Sequence, residues 1–215
     1  MTRNLVASIT AVACAALIVG APVAAQAGDN ARGEELFALC AQCHGPDGAG
    51  MELSLAPAIA GLDLWYVEAQ LNMFRDGLRG LHPDDVGGLR MYPMSQWLIA
   101  DEDLSAVAEY VSSMPPTHSA PTLVGGDAGK GATIFATCAA CHGPDGAGMQ
   151  AMNAPPLRGQ NDWYIYESLI KFKAGYRGYD PKNINAALMR GMSNTIADDQ
   201  AMRDVIAYIT TLDGK

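Results

Sequence analysis

The sequence predicts an all-α chain of two small domains in tandem, and three observations carry that prediction. Shifted by 98 residues, the chain aligns on itself without a gap from Gly28 to about Met114. Within each copy apolar residues recur at helical spacing, and no run alternates as a half-buried strand would. The pentad Cys40-Ala41-Gln42-Cys43-His44 returns as Cys138-Ala139-Ala140-Cys141-His142. Two long copies make two domains rather than a solenoid, which needs many short repeats.

Residues 1–27 read as a secretory signal peptide. Arg3 is its only charge, an apolar stretch runs from Leu5 to Val19, and Ala25-Gln26-Ala27 is a small-x-small cleavage site that leaves Gly28 as the mature start. The stretch is short for a membrane span, and Gly20 and Pro22 interrupt it. Too much apolar sequence follows Cys14 for it to be a lipidated terminus. The chain is therefore expected outside the cytoplasm, in the periplasm.

In each copy the first helix is expected from about Ala31, or Gly129, into the pentad, with Asp29 and Asp127 as N-caps. The second begins near Trp65 and Trp163 and stops at Gly77 and Gly175, glycine being suited to a helix end. A loop holding Met91 and Met94, or Met189 and Met192, is expected next. The last helix starts near Asp101 and Asp199, where acidic residues suit the N-terminal dipole. Its stripe of Leu104, Val107, Ala108 and Val111 is mirrored by Met202, Val205, Ile206 and Ile209, and reads as core. The domains are set at 28–114 and 126–215, joined by a linker at 115–125.

The pentads carry the chemistry. Two cysteines two residues apart, followed at once by histidine, form the attachment signal for c-type haem. On one helical turn the sulfurs of Cys40 and Cys43, or Cys138 and Cys141, can each form a thioether with a vinyl group, and His44 or His142 can bind the iron. A structural zinc site needs four ligands, and the copies share no second ligand pair, because His82 falls opposite Asp180 and His118 has no counterpart. A redox Cys-x-x-Cys belongs in a βαβ setting. Short-loop disulfides would leave the repeated histidine unexplained. Two covalently attached haem c groups are thus the expected cofactors. Each also gives a domain near the lower size limit a large apolar centre.

The other axial ligand is expected to be methionine, since no further histidine is repeated. Met51 and Met149 stand too close behind the histidine and read as loop packing. Of the pairs Met91/Met189 and Met94/Met192, one is expected to bind iron and the other to pack.

These features together resemble the dihaem cytochromes c of the cytochrome c4 family, built from two class I cytochrome c domains. The resemblance spans Gly28 to Lys215 and rests on several shared features. They are the pentads, the Ala-Pro loops, the Trp-Tyr helices with Gln70-Leu71 and Phe74, the Gly-x-Arg-Gly turns at Gly77 and Gly175, and terminal helices ending in Tyr-Val and Tyr-Ile. It implies His and Met ligands on each iron, with Met91 and Met189 nearest the expected position and Met94 and Met192 as alternatives. It also implies that the carbonyls of Pro57 and Pro155 accept the histidine N–H, a bond that fixes ring orientation and basicity. Arg79 and Arg177 are read either as neighbours of haem propionates or as solvated side chains in glycine-rich turns.

An iron with both axial positions filled can only gain and lose an electron. The resemblance therefore implies a periplasmic electron carrier between a membrane complex of the cytochrome bc type and a terminal oxidase or reductase. The alternatives are an electron-accepting subunit of a dehydrogenase and, against the paired methionines, a dihaem peroxidase-type enzyme. Charge adds a polarity. Residues 28–114 carry 4 basic and 14 acidic side chains, whereas 115–215 carry 9 of each. The first domain is expected to dock on a basic redox partner. An acidic exported chain is not expected to bind nucleic acid.

Overall fold

The computed structural model describes residues 27–213. The expected signal segment and Cys14 lie outside the described residues, Ala27 excepted. Eight α-helices are described: α1 Ala27–His44, α2 Leu64–Arg75, α3 Val86–Trp97, α4 Asp101–Ser113, α5 Ala128–His142, α6 Asp162–Ala174, α7 Ile184–Ser193 and α8 Asp199–Thr210. Short 3-10 turns at Glu52–Ser54 and Gln150–Met152 follow the pentad helices. Among the described residues there is no strand, only isolated bridges between Met51 and Ala56 and between Met149 and Ala154.

Each domain is organised by the crossing of its first and last helices, α1 on α4 and α5 on α8. Glycine makes these crossings close. A Cβ at Gly33 would overlap the Ala106 carbonyl oxygen, and one at Gly131 the Asp204 carbonyl oxygen. The expected stripe is the core. Leu104, Val107, Ala108 and Val111 pack with Leu36, Phe37, Leu71 and Leu98, while Met202, Val205, Ile206 and Ile209 pack with Phe135, Ile165, Leu169 and Ile196. Phe37 leans on Tyr110 and Phe135 on Tyr208 with ring centres 5.3 and 5.2 Å apart, so the repeat extends to individual ring contacts.

Two expectations need correction. Helix α1 begins at Ala27, so Asp29 lies inside it rather than capping it. Asp127 does cap α5, accepting from the Gly129 and Lys130 amides. The stretch expected as a loop before the last helix is instead helical in both copies, as α3 and α7. Gly87, Gly88 and an internal Pro93 disguise α3, but a buried cap starts each helix. Asp85 Oδ1 accepts from Gly88 N–H at 3.0 Å, and Asn183 Oδ1 from Ala186 N–H at 3.1 Å.

The two domains face each other through matching positions. Arg79 Nη2 donates to the Tyr164 hydroxyl at 2.8 Å, and Arg177 faces Tyr66, the repeat equivalents exchanged. Lys171 Nζ lies 3.0 Å from Asp85 Oδ1. At the symmetry-related place Asn183 Nδ2 points to Met73 Sδ at 3.4 Å, so the same contact is ionic once and neutral once. His82 stacks on Tyr176 across the interface at 4.8 Å between ring centres.

Candidate haem sites

The C-terminal turns of α1 and α5 present the two cysteines and the histidine of each pentad. The four pentad cysteines form no disulfide with one another. Burial pushes the Cys40 thiol up to about 11 and raises Cys138 as well, so both are protonated at neutral pH. Cys43 is exposed, and Cys138 and Cys141 are half-buried. Among the described residues no group of three His, Cys, Asp or Glu side chains converges as a structural zinc site would.

His44 and His142 are 8% and 7% exposed. In both, Nδ1 lies 2.8 Å from a proline carbonyl, that of Pro57 or Pro155. A carbonyl only accepts, so Nδ1 carries the proton and the Nε2 lone pair is left for a metal. Burial lowers the pKa of both rings, which favours the neutral imidazole a metal needs. The loops that deliver these carbonyls are held by the Met51–Ala56 and Met149–Ala154 bridges. This gives Met51 and Met149 a backbone role, and their side chains are exposed at 42% and 36%.

Met91, on α3, packs against the same apolar cluster as Cys40. Met189, on α7, packs against the same cluster as Cys138. Met94 is half-buried and Met192 is 38% exposed, and neither belongs to those clusters. His82 lies at the interface and takes no part in either site.

Arg79 and Arg177 are not solvated turn residues. The Arg79 guanidinium lies 4.4 Å over the Phe74 ring and that of Arg177 4.6 Å over Phe172. Arg79 also bonds Gln70, and Arg177 bonds Ser168 at 3.1 Å. Burial would raise the Tyr164 phenol, but the two guanidiniums outweigh it and hold its pKa below the usual range. Among the described residues the buried Arg79 Nε has no hydrogen-bond partner. The nearby Asp85 is engaged by Lys171. Two half-buried cations, one with a buried orphaned donor, suit carboxylates such as haem propionates. Sequence analysis named the Trp-Tyr pairs that hold Tyr66 and Tyr164 only as shared features, and assigned the tyrosines no role at the arginines.

Fold and site together define a protein of two c-type haem domains. A family model described as Cytochrome c matches residues 30–115 and again 128–213. The chain is 31% identical over 197 residues to cytochrome c4 of Azotobacter vinelandii, covering 87% of this chain and 90% of that one. It is 34% identical over 180 residues to the thiosulfate dehydrogenase electron acceptor of Stutzerimonas stutzeri, covering 79% and 78%. Reduced recombinant cytochrome c4 from Pseudomonas stutzeri superposes with a TM-score of 0.65 at 28% identity, over 85% of this chain and 97% of that one. A thiosulfate dehydrogenase from Marichromatium purpuratum gives a TM-score of 0.69 at 31% identity, and the chain covers 40% of its length. The chain belongs to the cytochrome c family and is a dihaem electron-transfer protein of the cytochrome c4 type, with two covalently attached haem c groups.

Proposed function

We propose that the chain is a periplasmic electron carrier, with signal peptide 1–27 cleaved after Ala27 and haem domains at 28–114 and 126–215 joined by a linker at 115–125. Cys40 and Cys43 tether the first haem and Cys138 and Cys141 the second. His44 with Met91, and His142 with Met189, would hold the two irons. The carbonyls of Pro57 and Pro155 orient the histidines, and Arg79 and Arg177 take propionates. When bound, each haem supplies a one-electron Fe(III)/Fe(II) couple. The residues of the chain would leave the irons no site for another ligand, exclude water and hold the two domains in a fixed register.

The observation that carries this reading is a repeated one. In each domain a buried imidazole is pinned at Nδ1 by a proline carbonyl, and a methionine on a different helix shares the apolar cluster of the first pentad cysteine. A redox titration with optical spectra tests it. Two high-potential low-spin haems, a full-intensity far-red iron–thioether band and no reaction with peroxide are expected. A high-spin haem, or turnover of peroxide, would overturn the carrier assignment for that domain.

The proposed partners are a membrane complex of the cytochrome bc type and a terminal oxidase or reductase. A second reading, acceptance of electrons from a dehydrogenase, is favoured by the 34% identity to a thiosulfate dehydrogenase electron acceptor. Rapid reduction by a purified thiosulfate dehydrogenase, against slow reduction by a bc-type complex, would select it.

A further inference from the structure

Asn161 stands at the N-cap of α6, where an asparagine side chain ordinarily bonds the amides of its own helix. It does not do so here. It is 5% exposed and reaches into the first domain, where its Oδ1 accepts from the Ala58 N–H at 2.6 Å. Its Nδ2 donates to Ser119 Oγ at 2.9 Å and to the Ala49 carbonyl at 3.3 Å. Those partners fix the amide orientation, because Ala58 N–H can only donate and Ala49 C=O can only accept. Gly50 makes room for it, since a Cβ there would lie 2.7 Å from Asn161 Oδ1.

The Ala58 N–H and the Pro57 C=O belong to one peptide group. That carbonyl is the acceptor for His44 Nδ1 at 2.8 Å. A hydrogen-bond chain therefore runs from Asn161 in the second domain, through a single peptide plane, to the histidine of the first. A peptide polarised at its N–H is a better acceptor at its C=O. A stronger acceptor on a ligating histidine raises its basicity toward the metal. In the second domain the equivalent peptide is Pro155–Pro156. Proline has no N–H, so the relay cannot exist there.

We infer that Asn161 is a positioning residue for the first-domain iron: it strengthens the Pro57–His44 bond and lowers that haem's reduction potential selectively. This rests on His44 being the iron ligand. The coupling requires the docked second domain, so the first haem's potential depends on the interface.

The test uses the full-length reduced, diamagnetic holoprotein and the Nδ1 proton resonances of its two histidines. In the wild type the His44 proton is expected further downfield than that of His142. In Asn161→Leu it is expected to move toward the His142 position. A haem-resolved redox titration is expected to show the first-domain potential rising while the second stays fixed. Gln160→Ala removes a neighbouring 3.0 Å bond to the Ala58 carbonyl but leaves the relay, so it is expected to shift neither resonance nor potential. Equal Nδ1 resonances in the wild type, equal shifts at both haems in Asn161→Leu, or the same shift in Gln160→Ala would overturn the inference. A wild-type spectrum lacking low-spin His/Met haem would instead reject the ligand assignment. If Asn161→Leu does not fold, the wild-type comparison decides.

Discussion

Replacing Asp85 by asparagine isolates the charge of the interdomain ion pair. Asp85 has two tasks: it caps α3 and it faces Lys171 at 3.0 Å. Asn183 caps α7 from the same position of the other domain, so the amide preserves the cap and removes only the charge. The side chains of the pair are 3% and 15% exposed. Breaking a buried pair by removing one partner costs about 3–5 kcal/mol. Lys171 retains some access to water, so a loss of about 2–4 kcal/mol is expected for Asp85→Asn. Lys171→Met installs the residue found at the repeat-equivalent Met73. The double variant Asp85→Asn, Lys171→Met therefore copies the neutral Asn183–Met73 contact already present in the molecule. It is expected to recover to within about 1 kcal/mol of wild type, giving a coupling energy of at least about 2 kcal/mol. The assay is denaturant unfolding of the holoprotein for the four members of the cycle. The pH dependence supplies an independent check. Burial would raise the Asp85 pKa, but Lys171 and the Gly88 amide outweigh it, so the folded-state value is lowered. The stabilisation is then present above the ordinary carboxylate pKa of about 4 and is lost as pH falls through the depressed folded value. The gap between wild type and Asp85→Asn is expected to be flat at neutral pH and to close in acid. Losses that simply add in the double variant, or a gap that widens in acid, would refute the reasoning.

Gly131→Ala forces a Cβ into the Asp204 carbonyl, which belongs to backbone and cannot swing aside. A loss of about 2–3 kcal/mol is expected in thermal unfolding, despite the better helix propensity of alanine. Met91→Leu is expected to remove the first-domain share of the far-red band, whereas Met94→Leu leaves the spectrum intact, and the reverse pattern would exchange their roles. With 14 acidic and 4 basic residues in 28–114 against 9 and 9 beyond, the first haem is expected to have the lower potential. The charge part of that gap is on the order of tens of millivolts and shrinks with ionic strength. A gap of opposite sign in a haem-resolved titration would refute it.

The tandem all-α fold was legible because a repeat doubles every signal. The pentads, the glycines at the helix crossings and the terminal stripes each occur twice. Helix α3 was hidden by Gly87, Gly88 and Pro93, which are weak helix formers, whereas α7 holds no proline and its run from Ala186 to Arg190 was a helix signal left unused; the buried caps Asp85 and Asn183 start them. Spacing alone offers the pentad cysteines and the histidine beside them as the expected haem attachment residues. Spacing does not choose between Met91 and Met94, because which of them meets the core depends on the face that α3 turns inward. Arg79 and Arg177 were equally ambiguous. Their burial is made by Tyr164 and Tyr66 of the opposite domain, a contact across 85 residues that no local pattern encodes.

The places where the repeat departs from symmetry at the interface have one physical character. Where one half has Asp85 and Lys171, the other has Asn183 and Met73. Ala58 in one half faces Asn161, while Pro156 in the other has no amide to offer. The core positions, by contrast, are conservative exchanges such as Leu104 for Met202 or Val111 for Ile209. A symmetric core is enough to build two equivalent haem pockets. Two equivalent pockets would leave an electron with no preferred resting place. The acidic surplus of the first domain and the relay into its histidine both favour the oxidised state there, by independent means. Salt screens the first and leaves the second intact, since the hydrogen bonds of the relay are buried. On the proposed relay, polarity between the haems would rest on a few substitutions at the interface and on surface charge, with only conservative exchanges in the core of each domain.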